Sequence, residues 1–321
     1  MSGFTGHDPA EKRDGAGVRR PVRVGHISFL NCYPLYFGLE ARSAPVGPGG
    51  PGLSAPALGR APVEFELVPG VPTDLNRMLA SGTIDFGPIS SIAYARSARR
   101  LALSGRLSIS SRGAVDSIQL VSTTPIERVE RVALTPKSAT SVAMLKSLLR
   151  LRYGLDVFYS ELLTSPREAL TTHDAVLLIG DEGLEAMHFP WWRGASYHRY
   201  DLGRLWLEWT GLPMVYAVWA TRAEFFESRA GDIRAVEEEL VRSVQHSRVR
   251  AGEVVESALG HYRFGRDCMT RYFEILHYGF GEEYRSGLRR FFEVAYEAGE
   301  LEEVPALRFF DETEKGGTDG P

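Results

Sequence analysis

Residues 131–150 have the sequence RVALTPKSATSVAMLKSLLR, and the order of side chains in this stretch decides the fold class. The apolar run at 132–134 predicts a strand, and the turn residues at 135–138 end it. Apolar side chains then recur at helical spacing, which predicts a helix with one buried face: Val142, Leu145, Leu148 and Leu149. A strand that leads through a turn into a helix is the repeating unit of an α/β protein.

The same alternation extends in both directions from this unit. Further strands are predicted at 22–27, 63–68, 84–89, 117–121 and 174–179. The run DAVLLI at 174–179 is typical of a strand covered on both faces, and the overall order favours largely parallel sheets. Two extended segments bracket a middle block of about ninety residues. This pattern predicts a two-lobed α/β fold with two hinge-crossing segments and a ligand cleft between the lobes.

The expected domain organisation follows from these segments. We expect an outer lobe at 21–116 and 221–311, an inserted lobe at 125–210, and hinges at 117–124 and 211–220. Residues 1–20 are predicted to be a disordered leader and residues 312–321 a tail. Within the outer lobe, ten of the nineteen residues at 44–62 are Gly or Pro, which predicts a mobile insert.

Composition and charge exclude several classes of protein. Hydrophobic residues make up 44% of the chain and charged residues 24%, as in an ordinary globular protein. The net charge of −4 is spread over interspersed acids and bases, so we expect no nucleic-acid or membrane partner. Cys32 and Cys268 lie far apart, and no HExxH or CxxC spacing occurs, so neither a metal nor a cofactor is predicted.

The expected location is the cytoplasm. Residues 1–20 contain no apolar run of signal-peptide length, and no later stretch is long and apolar enough to span a bilayer. The oligomeric state is left open.

Polar side chains cluster where predicted strands end and helices begin. A helix N-terminus with free N–H groups attracts anions, although a hydroxyl there also caps its own helix, and both interpretations stay open. Asp181 similarly either orients a substrate hydroxyl or caps a helix. The aromatic residues Trp206, Trp209 and Trp219 are predicted to pack in the core, or alternatively to form a wall of the cleft near residues 211–213. The candidate substrate-binding residues are Ser90, Ser91, Ser138, Thr140, Ser141, Asp181, Pro213 and Met214. These patterns predict a cleft for a small anion, but they do not distinguish a binding protein from an enzyme.

Several segments together resemble the chorismate dehydratase family of the futalosine route to menaquinone. The segment VGHISFLNCYPL at 24–35 resembles the family's opening motif. Later segments resemble its other motifs in the expected order: LTPKSATSVAMLKSLL (134–149), AVLLIGDEGL (175–184), DLGRLWLEWTGLPMVYAVWA (201–220) and YGFGEEYRSGLRRFFEVAYEAGEL (278–301). The resemblance covers residues 22–310.

This resemblance implies a periplasmic-binding-protein type 2 fold and a lyase reaction without a cofactor. Chorismate would lose its C3 proton and C4 hydroxyl as water, giving 3-[(1-carboxyvinyl)oxy]benzoate. The family's catalytic asparagine falls on Asn31 and its cleft serine on Ser117. Since these motifs offer no His or Glu as a base, we expect the substrate's own enolpyruvyl carboxylate to remove the proton.

Three alternatives are considered. A non-catalytic solute-binding protein for a small carboxylate would require export, for which no signal peptide is present in this sequence. The sister enzyme 1,4-dihydroxy-6-naphthoate synthase has a different opening motif. The effector domain of a transcription regulator would need a helix-turn-helix module, which a leader of about twenty residues is too short to hold.

Overall fold

The structure is a computed structural model that describes residues 20–43, 63–189 and 197–310. The predicted insert at 44–62 and tail at 312–321 lie outside the described residues, as does the predicted leader apart from Arg20. Strands of the described part are β1 (Val22–Ile27), β2 (Phe65–Gly70), β3 (Phe86–Ser90), β4 (Leu101–Ser111), β5 (Ile118–Ser122), β6 (Arg131–Leu134), β7 (Phe158–Glu161), β8 (Ala175–Ile179), β9 (His198–Asp201), β10 (Met214–Arg222) and β11 (Leu276–Gly279).

Helices connect and cover these strands. They are α1 (Tyr33–Ser43), α2 (Pro72–Ala80), α3 (Ser91–Ser97), α4 (Ala139–Ser147), α5 (Pro166–Ala169), α6 (Gly180–His188), α7 (Leu202–Thr210), α8 (Ala223–Val249), α9 (Ala251–Leu259), α10 (Arg266–Ile275) and α11 (Glu282–Glu297). Short 3₁₀ turns occur at Leu30–Cys32, Ala98–Arg100 and Ile126–Arg128, and a π-helical turn at Leu148–Arg152 extends α4. Among the described residues, no helix combines the length and the apolar character needed to cross a membrane.

The first sheet is built from both ends of the described chain, in the order β11-β4-β10-β3-β1-β2. Strand β1 is parallel to β2 and β3, whereas β10 is antiparallel to β3 and β4, and β11 is antiparallel to β4. The first eight residues of β10 are buried, because this strand lies inside the sheet and is covered on both faces. Trp206 and Trp219 are fully buried, which agrees with their prediction as packing residues.

The second sheet comes from the middle of the chain, in the order β7-β6-β8-β5-β9. Every residue of β8 is buried, as its unbroken apolar run predicts. Strands β7 and β8 are parallel to β6, and β5 is antiparallel to both β8 and β9. The two sheets, each with its helices, form the two lobes of an α/β molecule.

One sequence-based expectation needs correction, and the predicted hinges can be compared with the strands. Both sheets are mixed rather than largely parallel, because β10 re-enters the first sheet antiparallel to its neighbours and β5 runs opposite to β8. The predicted hinges at 117–124 and 211–220 coincide largely with β5, which lies in the second sheet, and β10, which lies in the first. The chain therefore passes between the sheets just before these strands, at 112–117 and 211–213.

Candidate active site

A cavity of about 50 Å³ lies between the two sheets, at the ends of β1, β3 and β8. Strand ends of an open α/β sheet are the usual place for a ligand, because the following helices begin there. Five of the ten predicted site residues line this cavity: Asn31, Ser90, Ser117, Ser138 and Ser141. The side chains of these five residues come from both lobes, so the fold brings together groups that lie up to 110 positions apart in sequence.

Asn31 lies in the 3₁₀ turn Leu30–Cys32 that follows β1. Its backbone carbonyl accepts a hydrogen bond of 2.8 Å from the hydroxyl of Tyr278. The preceding N–H of Leu30 donates to a carboxylate oxygen of Asp181 at 3.1 Å. The side-chain oxygen of Asn31 is buried and has no hydrogen-bond partner in the described part of the chain. The turn is therefore held from two sides while the amide oxygen remains available to a ligand.

Ser90 and Ser91 have different environments although they are adjacent. Asn76 holds Ser90 at the start of α3, since its amide accepts from the Ser90 N–H at 2.9 Å and donates to the Ser90 hydroxyl at 3.2 Å. The Ser91 hydroxyl instead donates to the backbone carbonyl of Val215 at 2.7 Å and is buried within the first lobe. Ser90 thus belongs to the cavity wall, whereas Ser91 does not line the cavity.

The serine cluster at the start of α4 is a cap that also faces the cavity. Ser138 accepts from the N–H of Ser141 at 3.3 Å, and the two hydroxyl oxygens lie 2.9 Å apart. Capping and anion binding are therefore compatible here, because both hydroxyls line the cavity while they satisfy the helix. Thr140 is fully buried and points away, since it accepts from the Ile92 N–H at 3.2 Å and so joins α4 to α3 of the other lobe.

Ser117 lies at the end of the first crossing segment, and its position is fixed by its neighbours. The carboxylate of Asp201 accepts from the backbone N–H groups of Val115 (3.1 Å) and Asp116 (2.7 Å), and from the Gln119 amide. Burial raises the pKa of Asp201, and these N–H donors oppose that rise. The Ser117 backbone also passes so close to Gly183 that a Cβ there would lie 2.2 Å from the Ser117 carbonyl oxygen.

Asp116, the residue before Ser117, has a left-handed backbone with φ of 55°. Its buried carboxylate accepts from Arg271 of α10 at 3.1 Å and lies 3.6 Å from His188 of α6. The Asp116 carboxylate is the main reason why the pKa of His188 rises to about 9, with Cys268 as the second cause. This ion cluster connects α6 of the second lobe with α10 of the first.

Asp181 does not line the cavity, although sequence analysis places it among the substrate-binding residues. Its carboxylate is used by the Leu30 N–H, and burial is the first cause of its raised pKa. The cavity wall is formed instead by Gly180, whose φ of 60° and close approach to the Phe29 ring leave no room for a side chain. Asp181 therefore acts on Asn31 through the backbone of the 3₁₀ turn.

Pro213 and Met214 also lie outside the cavity wall. The carbonyl of Pro213 accepts from the Trp206 indole at 3.2 Å, and Met214 is fully buried in β10. Tyr216 and Ala217 of the same strand line the cavity instead. A register shift between Val215 and Ala217 reorients β10 at this point, and such a bulge is invisible in the pattern of apolar residues.

The electrostatics of the cavity come from neutral groups. No charged side chain occurs among the described residues that line it. Three helices, α3, α4 and α6, begin at its wall, with Ser90, Ser138 and Gly180 as lining residues. The positive ends of these helix dipoles therefore converge on one small volume. This arrangement suits a carboxylate.

The described residues contain no group of three or more His, Cys, Asp and Glu side chains that could hold a metal ion. Lys137 forms an ion pair of 2.9 Å with Glu182, which joins the turn before α4 to the first turn of α6.

Asp201, Tyr216 and Gly180 are site residues that sequence analysis missed. The sequence around Asp201 does indicate a helix cap, because this residue precedes the amphipathic helix α7. Its carboxylate accepts from the Arg204 N–H at 2.9 Å. Its contacts with residues 115 and 116 join positions more than eighty residues apart, so sequence spacing gives no sign of them.

Fold and comparison with solved structures define a class: a two-lobed α/β protein with the periplasmic-binding-protein fold. A similar structure is the Candida albicans CA3427 gene product, described as having the generic periplasmic binding protein fold (TM-score 0.60, 12% identity, 89% of this chain and 92% of that chain). Another is the periplasmic aliphatic sulphonate binding protein SsuA of Escherichia coli (TM-score 0.58, 14% identity, 90% and 96%). Protein AF1704 of Archaeoglobus fulgidus is also similar (TM-score 0.58, 18% identity, 88% and 98%).

Sequence comparison narrows this class. The model of a family described as menaquinone biosynthesis matches residues 22–297, and this chain belongs to that family. A curated relative, the chorismate dehydratase of Thermus thermophilus, is 32% identical over 245 residues, which cover 72% of this chain and 86% of the relative.

Proposed function

We propose that this protein is a chorismate dehydratase, a hydro-lyase that converts chorismate into 3-[(1-carboxyvinyl)oxy]benzoate and water. The menaquinone biosynthesis family and the 32% identity to a chorismate dehydratase support this proposal. The observation that carries it is the buried, unpartnered amide oxygen of Asn31 in a cavity ringed by Ser90, Ser117 and Ser138. This set of neutral groups suits a substrate that brings two carboxylates and a hydroxyl.

The helix starts would bind the carboxylates of the substrate. Ser138 and Ser141 at α4 offer two hydroxyls and the free N–H groups of the first turn, and Ser90 offers the equivalent group at α3. Asn31 would then accept a hydrogen bond from the C4 hydroxyl or donate to it through its amide nitrogen as the C–O bond breaks. Ser117 faces the same volume and would donate to the departing oxygen.

The base in this proposal is the substrate itself. Among the described residues, the cavity wall contains no His, Lys, Asp or Glu. The enolpyruvyl carboxylate would take the C3 proton, the C3–H electron pair would form the new ring double bond, and the C4–O bond would break. The departing hydroxide then receives the proton as water, and the carboxylate is regenerated. Because the ring becomes aromatic, positioning and exclusion of water are the main contributions needed from the protein.

Incubation of the purified protein with chorismate tests the proposal. We expect chorismate to lose one water. The benzoate product is detected by its ultraviolet absorbance and by its mass. Absence of turnover, combined with tight binding of another small carboxylate, would contradict the proposal and favour a solute-binding protein. A chorismate analogue that lacks the enolpyruvyl carboxylate tests the base separately. If it binds and still dehydrates at the normal rate, the substrate carboxylate is not the base.

A further inference from the structure

A second pocket, of about 290 Å³, lies in the first lobe between the end of α8, α9, α10 and β11. We call it the β11 pocket. Its walls are mainly apolar: Pro34, Val244, Val254, Val255, Leu276 and the rings of Phe273 and Tyr278. A volume near 300 Å³ with apolar walls is in the range of small-molecule sites. The pocket is separate from the catalytic cavity, with which it shares Leu276.

Two exposed charges of opposite sign line the β11 pocket. Arg248 lies in the last turn of α8 and Glu274 in the last turn of α10. Neither side chain forms an ion pair or a hydrogen bond with any described residue. Arg248 does influence the pocket electrostatically, since burial first and Arg248 second lower the pKa of His277. The imidazole of His277 is therefore neutral at pH 7 and able to donate or accept one hydrogen bond.

These features specify the chemistry of an occupant. A carboxylate would pair with the unpaired guanidinium of Arg248, and a hydroxyl group would donate to the carboxylate of Glu274. An aromatic body between these two groups would pack against Phe273 and Tyr278.

Strand β11 links this pocket to Asn31. Leu276 is buried and forms part of the wall of both cavities. Tyr278 lines the β11 pocket, and its hydroxyl donates to the Asn31 carbonyl at 2.8 Å. The turn that carries Asn31 is held by two hydrogen bonds, one from Tyr278 and one to Asp181. A molecule that moves the Tyr278 ring therefore changes the first of these bonds.

We propose that the β11 pocket binds a small hydroxylated aromatic carboxylate, and that its occupancy changes the placement of Asn31 through Tyr278. The binding part stands independently of the reaction, whereas the coupling rests on the proposed dehydratase function. A hydroxybenzoate shares one benzoate carboxylate with the product of that reaction, but the product carries a second carboxylate where the hydroxybenzoate has a hydroxyl. The carboxylate of Glu274 therefore favours the hydroxybenzoate over the product.

Isothermal titration of the full chain with 3-hydroxybenzoate tests the binding part. Replacement Arg248→Gln should weaken binding about tenfold or more, since it removes the carboxylate's partner. Replacement Gly252→Phe should abolish binding by filling the pocket, and a Cβ at Gly252 meets no atom within 4 Å, so the fold should tolerate it. Gly231→Phe is the matched control, because Gly231 also has open space around it but does not line the pocket.

Two results would overturn the binding part. One is the absence of binding to the wild-type chain. The other is equal binding by wild type, Arg248→Gln and Gly252→Phe, which would place the ligand elsewhere.

Steady-state kinetics with chorismate test the coupling. We expect 3-hydroxybenzoate to change kcat of the wild type and of Gly231→Phe, and to leave kcat of Gly252→Phe unchanged. A rise in KM alone, equal in wild type and Gly252→Phe, would mean competition in the catalytic cavity and would contradict the coupling. If the chain does not turn over chorismate at all, the proposed function fails, while calorimetry still decides whether the pocket binds its ligand.

Discussion

At the scale of single residues, Asn31 combines a backbone held by Tyr278 and Asp181 with an amide oxygen that has no partner. Buried polar atoms without partners are rare in folded proteins, and they are expected where a ligand supplies the missing bond. We predict that Asn31→Ala lowers kcat on chorismate about 100-fold or more, in the range known for loss of one transition-state hydrogen bond. Rate measurements with saturating chorismate provide the check.

Asn76→Ala is the comparison for this prediction. Asn76 positions Ser90 but does not itself line the cavity. Its loss should reduce turnover less than the loss of Asn31, and both variants should keep the wild-type circular dichroism spectrum. An Asn31→Ala protein with normal kcat would remove this residue from the mechanism.

His188 gives a prediction on pH dependence. Its pKa is raised to about 9, mainly by the Asp116 carboxylate, from an ordinary value of 6.5. Because the folded state binds the proton more tightly than the unfolded state, this stabilisation is complete below pH 6.5. It declines as pH rises and is lost above about pH 9. We therefore expect the free energy of unfolding to fall by about 2 kcal/mol over this interval.

Urea unfolding of wild type and His188→Gln at several pH values measures this effect. The variant lacks the titrating group, so its stability should vary less between pH 6.5 and 9 than that of the wild type. Parallel curves for the two proteins would show that another group causes the pH dependence.

At the scale of elements, α6 approaches the first crossing segment so closely that only glycine fits at position 183. A Cβ there would lie 2.2 Å from the Ser117 carbonyl oxygen, and both atoms belong to the backbone or are fixed to it. We predict that Gly183→Ala destabilises the fold by about 3 kcal/mol through overpacking. Thermal or urea unfolding is the measurement.

Gly231→Ala in α8 is the matched replacement. Its added Cβ meets no atom within 4 Å, and alanine favours a helix more than glycine does. This variant should gain about 0.5–1 kcal/mol of stability. Equal destabilisation by both replacements would contradict the argument from close packing.

The elements that could be predicted from sequence are those specified by local patterns. The unit β6–α4 and the buried strand β8 match their predictions because apolar spacing and turn residues determine them. Strand β4 was not predicted, since Gly105 and four serines interrupt its apolar pattern. Those serines are tolerated because backbone carbonyls accept from three of the hydroxyls, as the Gly279 carbonyl does from Ser108 at 2.8 Å, and the Glu237 carboxylate accepts from Ser104.

At the scale of the whole molecule, the cavity between the lobes is small. Its volume of about 50 Å³ is far smaller than a ten-carbon substrate, so we expect the lobes to separate for binding. Thr140 is one of the contacts that close them, because it accepts from the Ile92 N–H of the other lobe. We predict that Thr140→Val shifts the protein towards the open form, since a buried N–H loses its partner at a cost of about 1–3 kcal/mol.

Small-angle X-ray scattering and kinetics check this shift. Thr140→Val should show a larger radius of gyration and a higher KM with a smaller change in kcat. Thr221→Val is the control, because Thr221 is equally buried but donates to the Asp85 carbonyl within the first lobe. Identical scattering of Thr140→Val and wild type would contradict a role of this contact in closure.

The candidate site could be predicted only in part. Hydroxyl-rich helix starts pointed to Ser90, Ser138 and Ser141 because the signal is local, and the family resemblance added Asn31 and Ser117. Thr140 and Asp181 carry the same local signal, yet their side chains are used by N–H groups of the opposite lobe. Which N–H group donates to each side chain depends on how the two lobes pack together. The spacing of residues within one segment contains no information about that packing.

The position of β10 between β3 and β4 has a consequence for synthesis on the ribosome. The second sheet is encoded without interruption between residues 118 and 201, so all its strands are available soon after they emerge. Strands β3 and β4 are made earlier but have no shared partner until residues 214–222 follow. Their open edges must meanwhile be kept from pairing with other chains. The insertion that creates the cleft therefore separates β3 and β4 from their shared neighbour β10 by about one hundred residues of chain.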